Sequence, residues 1–135
     1  MSRFSLYTDG GARGNPGPAA SGAVLYEDGK ILARVGKFLG INTNNQAEYT
    51  AIVIGLEKAL DLGIQELSCF MDSELAVKQL RLEYKVKNKG LAPLFLKVWN
   101  LSKKFKRISF QHVPRERNKE ADKAVNEVLD YQRDI

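Results

Sequence analysis

The chain has 135 residues, enough to bury a real core, and is read as one domain over residues 1–135. Hydrophobic residues make up 44% and charged residues 27%, which excludes a disordered or collagen-like chain. The net charge of +5 favours a polyanionic partner, one cysteine excludes an internal disulfide, and no apolar run is long enough to span a bilayer.

Residues 3–9 alternate as a strand, with Phe4, Leu6 and Thr8 on one face and Ser5, Tyr7 and Asp9 on the other. That strand is expected to stop at Asp9 and fall into a turn rich in glycine and proline. Residues 20–26 read as a second strand and 31–39 as a third, joined by a hairpin at Asp28-Gly29. Residues 44–62 have helical periodicity, closed by Gly63. Residues 67–72 are nearly all apolar, as in a central strand covered on both faces. Ser73 can cap a short helix running through Leu80. Residues 93–105 read as a third helix, 108–113 as a fifth strand and 118 to about 131 as a last helix. The order β-β-β-α-β-α-α-β-α predicts an α/β fold. Its five-stranded mixed sheet has an antiparallel three-strand meander plus two parallel strands, flanked by helices.

Four acids fall where a carboxylate is costly. Asp9 and Asp72 are placed at strand C-termini, where ligands of open α/β sheets gather. Glu48 shares its helical face with Ile52, Gly55, Leu56 and Ala59, so it points at the sheet. Asp122 lies in the first turn of the last helix, in step with Val125 and Leu129. Clustered carboxylates need a shared proton or a cation. Hard oxygen donors suit Mg²⁺ or Mn²⁺, and two such ions about 4 Å apart can drive phosphodiester hydrolysis. The glycines after Asp9 are read as clearing space for a bulky backbone ligand. Cys69 is read as a small core residue.

The stretches YTDGGARGNPGPAASGAVL, TNNQAEYTAIVIGLEKAL, CFMDSELAVKQL and HVPRERNKEADKAVN, in this order, resemble those of type 1 ribonucleases H. The likeness covers residues 4–128 and is greatest to compact archaeal and bacterial members. It implies a ribonuclease H-like fold and an endonuclease that cuts the RNA strand of RNA/DNA hybrids with two Mg²⁺ ions, Mn²⁺ substituting. By this resemblance Asp9, Glu48, Asp72 and Asp122 are the metal-binding catalytic acids. Asp9 would bridge both ions, with Glu48 and Asp72 on one and Asp122 helping to hold the other. Gly10, Gly11, Asn15, Asn44, Asn45 and Gln46 fall at substrate-facing positions, the amides toward the minor groove and ribose hydroxyls. Thr43 and Ser73 are read as phosphate or supporting contacts, with Asn44 or Asn45 also able to cap the helix.

Two departures from the family stand out. Where many bacterial members carry a basic helical protrusion, residues 81–89 offer a short loop with Lys85, Lys87 and Lys89. Where many members carry a loop histidine before the last acid, this chain's His112 reads as strand-borne and structural, and Arg115 is the auxiliary candidate. A related fold with integrase- or resolvase-like activity, and a non-catalytic hybrid-binding module, are the alternatives. A monomer in the cytoplasm, with no membrane partner, is the expected setting.

Overall fold

Asp28 and Gly29 both take positive φ, 51° and 82°, as a two-residue type I′ hairpin demands. They join β2 (Gly17–Glu27) to β3 (Lys30–Asn42), and β2 pairs antiparallel with β1 (Phe4–Ala12). The remaining elements of the computed structural model, which describes residues 2–135, alternate helix and strand. They are α1 (Asn44–Asp61), β4 (Glu66–Met71), α2 (Glu74–Leu80), α3 (Ala92–Ser102), β5 (Arg107–His112) and α4 (Lys119–Tyr131), with a 3-10 turn at Arg115–Arg117. The sheet order is β3-β2-β1-β4-β5; β4 runs parallel to both β1 and β5. The meander and the two parallel strands are therefore as the sequence predicts.

Helices cover both faces. On one face α1 buries Ile52, Leu56 and Ala59 against Leu6, Ala23 and Leu25 of the sheet. A Cβ at Gly55 would lie 2.8 Å from the Leu6 methyls, so the glycine sets how closely α1 approaches. Tyr49 is buried and its hydroxyl donates to Gln79, tying α1 to α2. Cys69 is fully buried in this core, and burial pushes its thiol above the ordinary range. On the other face α4 buries Val125, Val128 and Leu129 against Ala20 and Phe38. Gln132 ends α4 in the left-handed conformation, and the chain turns back along β3. There Gly36 and Ile135 exchange backbone hydrogen bonds of 3.2 and 3.0 Å, and Asp134 accepts from the Phe38 N–H at 2.8 Å. Among the described residues no helix is long and apolar enough to cross a membrane.

Several boundaries depart from the sequence reading. β2 starts at Gly17 rather than 20, and β3 runs on to Asn42 rather than 39. β1 does not stop at Asp9; Gly10, Gly11 and Ala12 stay extended because Ser21, Ala20 and Ala19 pair with them. The turn is confined to residues 13–16, where Gly14 has φ of 99°. α3 ends at Ser102 rather than at 105, since the chain bends there to tuck Phe105 into the core. β5 ends at His112, whose side chain is exposed rather than structural packing.

Candidate active site

The site begins where two ladders part. The parallel pairing of β1 with β4 ends at Thr8 opposite Met71. The next residues along the two strands are Asp9 and Asp72, so neighbouring parallel strands deliver two carboxylates to the same edge. Antiparallel pairing with β2 carries β1 on to Ala12. Asp9 therefore sits on a backbone clamped from one side and open on the other.

Two glycines bring the remaining acids to Asp9. A Cβ at Gly10 would collide with the Ala47–Glu48 peptide of α1. Its absence lets the start of α1 rest on β1, with the Ser21 hydroxyl donating to the Ala47 carbonyl at 2.6 Å. Glu48 is thereby placed beside Asp9 and Asp72, and the three line one small cavity with Thr8, Met71 and Ser73. Gly22 is the cross-strand partner of Asp9, and directly opposed residues project from the same face. A Cβ at Gly22 would lie 2.9 Å from the Ala121 carbonyl oxygen and the Ala124 methyl of α4. α4 can thus lie close against the sheet and bring Asp122 within electrostatic reach of Asp9. Gly10 serves the protein's own packing rather than a ligand's approach, whereas a Cβ at Gly11 would meet open space.

Charge crowding is heaviest at Asp9. Burial, then the Asp72 and Asp122 carboxylates, push its carboxyl up to about 8, against the opposing pull of the Gly10 backbone amide. Glu48 is also raised, chiefly by burial and further by Asp72, while a hydrogen bond from Ser73 works the other way. The Ser73 oxygen also caps α2, accepting from the Ala76 N–H at 3.2 Å. Asp122 accepts from the Asn126 side chain at 3.3 Å.

The amide cluster is knitted into the protein through its oxygens. Asn15 Oδ1 accepts from the Asn44 N–H at 3.1 Å, and Asn44 Oδ1 accepts from the Ala12 N–H at 2.7 Å. Gln46 Oε1 accepts from Thr43, completing a capping box in which Thr43 Oγ1 receives the Gln46 N–H. Thr43, not Asn44 or Asn45, is the N-cap, because the strand ends one residue earlier than a cap at Asn44 would need. Asn45 is exposed. Arg115 opens the 3-10 turn before α4 and is exposed, as are Lys85, Lys87 and Lys89 in their loop.

One residue of this site is missed by the sequence reading, which treats Asn118 only as a helix start. Asn118 is 1% exposed and makes no side-chain cap bond. Its Nδ2 donates to the Thr8 carbonyl at 2.8 Å and to Asp72 Oδ2 at 3.3 Å. The available signal is its position one helical turn before Asp122, which puts the two on one face.

The donor set fits a hard divalent cation in kind: carboxylate oxygens, no thiolate, no imidazole, and a central acid held far from its ordinary range by burial and then by neighbouring negative charge. Among the described residues no three such side chains form a preassembled metal cage. Sites of the Mg²⁺ class use few carboxylates and complete their octahedra with water and substrate oxygens.

Known proteins resemble this chain in sequence and in fold. A family model described as reverse transcriptase-like matches residues 7–128. Ribonuclease HI of Halobacterium salinarum is 43% identical over 129 residues, covering 95% of this chain and 65% of that protein. The bifunctional protein Rv2228c of Mycobacterium tuberculosis is 42% identical over 127 residues, 93% of this chain but only 35% of its own length. The chain thus spans about a third of that relative. The solved N-terminal RNase H domain of Rv2228c has a TM-score of 0.93 at 39% identity, with 97% of this chain and 96% of that one covered. LC11-RNase H1, solved in complex with an RNA/DNA hybrid, gives 0.91 at 40% identity, with 96% and 99% covered. With nearly the whole chain matched in sequence and in backbone, and the sheet order in common, the chain belongs to the type 1 ribonuclease H family.

Proposed function

We propose that the chain is an endoribonuclease that hydrolyses the RNA strand of RNA/DNA hybrids by a two-metal-ion mechanism, acting as a single-domain monomer in the cytoplasm. The observation that carries this reading is Asp9, half-buried at the end of the parallel ladder and crowded by Asp72, Asp122 and Glu48. Asp9, Glu48, Asp72 and Asp122 would hold the ions. When bound, Mg²⁺ ions supply a water acidic enough to attack the phosphodiester and positive charge for the leaving oxygen.

The chain's own residues do the rest. Asp9, raised by burial and by its neighbouring carboxylates, would be the acid most favoured in its charged form by a bound cation. Ser73 restrains Glu48 through its hydrogen bond. The oxygens of Asn15, Asn44 and Gln46 are already engaged inside the protein, which leaves their –NH₂ groups as the donors available to a ligand. Donors suit a minor groove lined by 2′-hydroxyls and base acceptors. This supports reading the amide cluster as the hybrid-facing surface. Lys85, Lys87 and Lys89 can add phosphate contacts. The complex of LC11-RNase H1 with a hybrid, at 40% identity, supports the same substrate class.

The test is cleavage of end-labelled RNA/DNA hybrid, beside matching double-stranded RNA and DNA duplex, with Mg²⁺, Mn²⁺ or chelator. Cutting confined to the hybrid's RNA strand, lost with chelator and in Asp72→Asn, is the expected result. Cutting of the DNA duplex, or an Asp72→Asn protein that cleaves at the parental rate, would remove the proposal.

A further inference from the structure

Asn118 occupies the N-cap position of α4, yet its side chain turns away from the helix it could cap. It reaches instead to the Thr8 carbonyl, which belongs to the last β1 residue of the parallel ladder. The same Nδ2 reaches Asp72 Oδ2. The orientation of the amide is fixed by its partners. Exchanging nitrogen and oxygen would set Oδ1 against a carbonyl and a carboxylate, both acceptors. In the orientation that remains, Oδ1 is buried with no hydrogen-bond partner among the described residues. The side chain thus leaves a cap bond unmade and an acceptor unpaired while it holds the edge where the carboxylates meet. Such local deficits gather at functional sites.

Asn118 also links three of the four acids. Thr8 adjoins Asp9 in β1, Asp72 is held directly, and the Asp122 N–H bonds to the Asn118 carbonyl at 3.1 Å. A single buried amide therefore sets β1, the end of β4 and the start of α4 in register. We propose that Asn118 is a positioning residue: by engaging Asp72 Oδ2 it commits one carboxylate oxygen to the protein and leaves the other for a cation. The inference rests on the metal-dependent reading above and deepens it. Asn118 is buried, so it acts on the site through Asp72 and not through the nucleic acid.

The test uses the whole chain with Mn²⁺ alone as the probe. Calorimetric titration compares the parent with Asn118→Ala, which removes the donor, and with Asn118→Asp, which keeps the shape but replaces the donor by an acceptor. Melting curves establish that each is folded. Both variants are expected to bind Mn²⁺ about 10–100-fold more weakly. On hybrid at limiting metal, kcat should fall while KM stays within about two-fold, as for a group that does not touch substrate. Folded variants with parental Mn²⁺ affinity and kcat, and only a lower melting temperature, would overturn the proposal and leave Asn118 structural. Should neither variant fold, the parent decides. Its Asn118 side-chain ¹⁵NH₂ signal is expected to shift on Mg²⁺ addition, and a signal that stays put overturns the role. A parent that binds neither ion fails at the metal-dependent reading itself, and the inference falls with it.

Discussion

Asp9 carries a proton that the unfolded chain would give up. Its folded pKa of about 8 lies well above the ordinary value of 3.8. Below about pH 4 the carboxyl is protonated in both states and makes no difference. Between about pH 4 and pH 8 the folded protein binds the extra proton, so metal-free stability falls as pH rises. Burial shifts Glu48 in the same direction, which adds to the slope. Asp9→Asn should therefore stabilise the chelated protein by on the order of 1–3 kcal/mol near pH 8, and by little near pH 5. Melting curves in chelator at the two pH values measure this; an equal effect at both would show that Asp9 is not the source. Asp72→Asn, in contrast, should abolish cleavage with the fold retained, read from hybrid cleavage alongside circular dichroism.

At the scale of elements, the acids depend on where helices rest. Gly36, Gly22 and Asp9 form one cross-strand row through β3, β2 and β1. A Cβ at Gly36 would lie 2.6 Å from the Val128 side chain, and one at Gly22 would press on Ala121 and Ala124. α4 therefore lies in a lane without side chains that ends at Asp9. Gly22→Ala should lift the start of α4, lower stability by about 1–3 kcal/mol and reduce kcat on hybrid about 100-fold. An unchanged kcat would mean that α4 and Asp122 accommodate the methyl. Much of this layer was legible in the sequence. Period and turn chemistry gave the Asp28-Gly29 hairpin, the span of α1 and the buried face bearing Glu48. The extension of β1 was not, because Gly10 and Gly11 look like turn residues until the partner strand that holds them extended is known. Nor was the reason for Gly10, since only the fold brings the Ala47–Glu48 peptide over it. Asn118 was hidden for a related cause: its partners Thr8 and Asp72 lie far away in sequence.

At the scale of the whole molecule, the sheet has one covered edge. The return of residues 132–135 along β3 fills backbone positions that would otherwise be open to another strand. Deleting residues 133–135 should lower stability by about 1–3 kcal/mol through the lost hydrogen bonds and the uncovered Val128. It should also promote concentration-dependent association, measurable by light scattering; a truncated chain that melts and sediments like the parent would show the tail to be dispensable. The ion pairs Arg13–Asp130 and Arg34–Glu127 lie on the same side, but their exposure makes them minor contributors.

The bare glycines under α1 and α4 have a consequence for telling active relatives from silent ones. A chain could keep every carboxylate of the site and still be inert, if a single methyl at the position of Gly10 or Gly22 held a helix off the sheet. Its catalytic alphabet would be intact while its spelling was lost. Ranking homologues by their acids alone would pass such a chain as an enzyme, whereas scoring these two glycines with the acids would flag it.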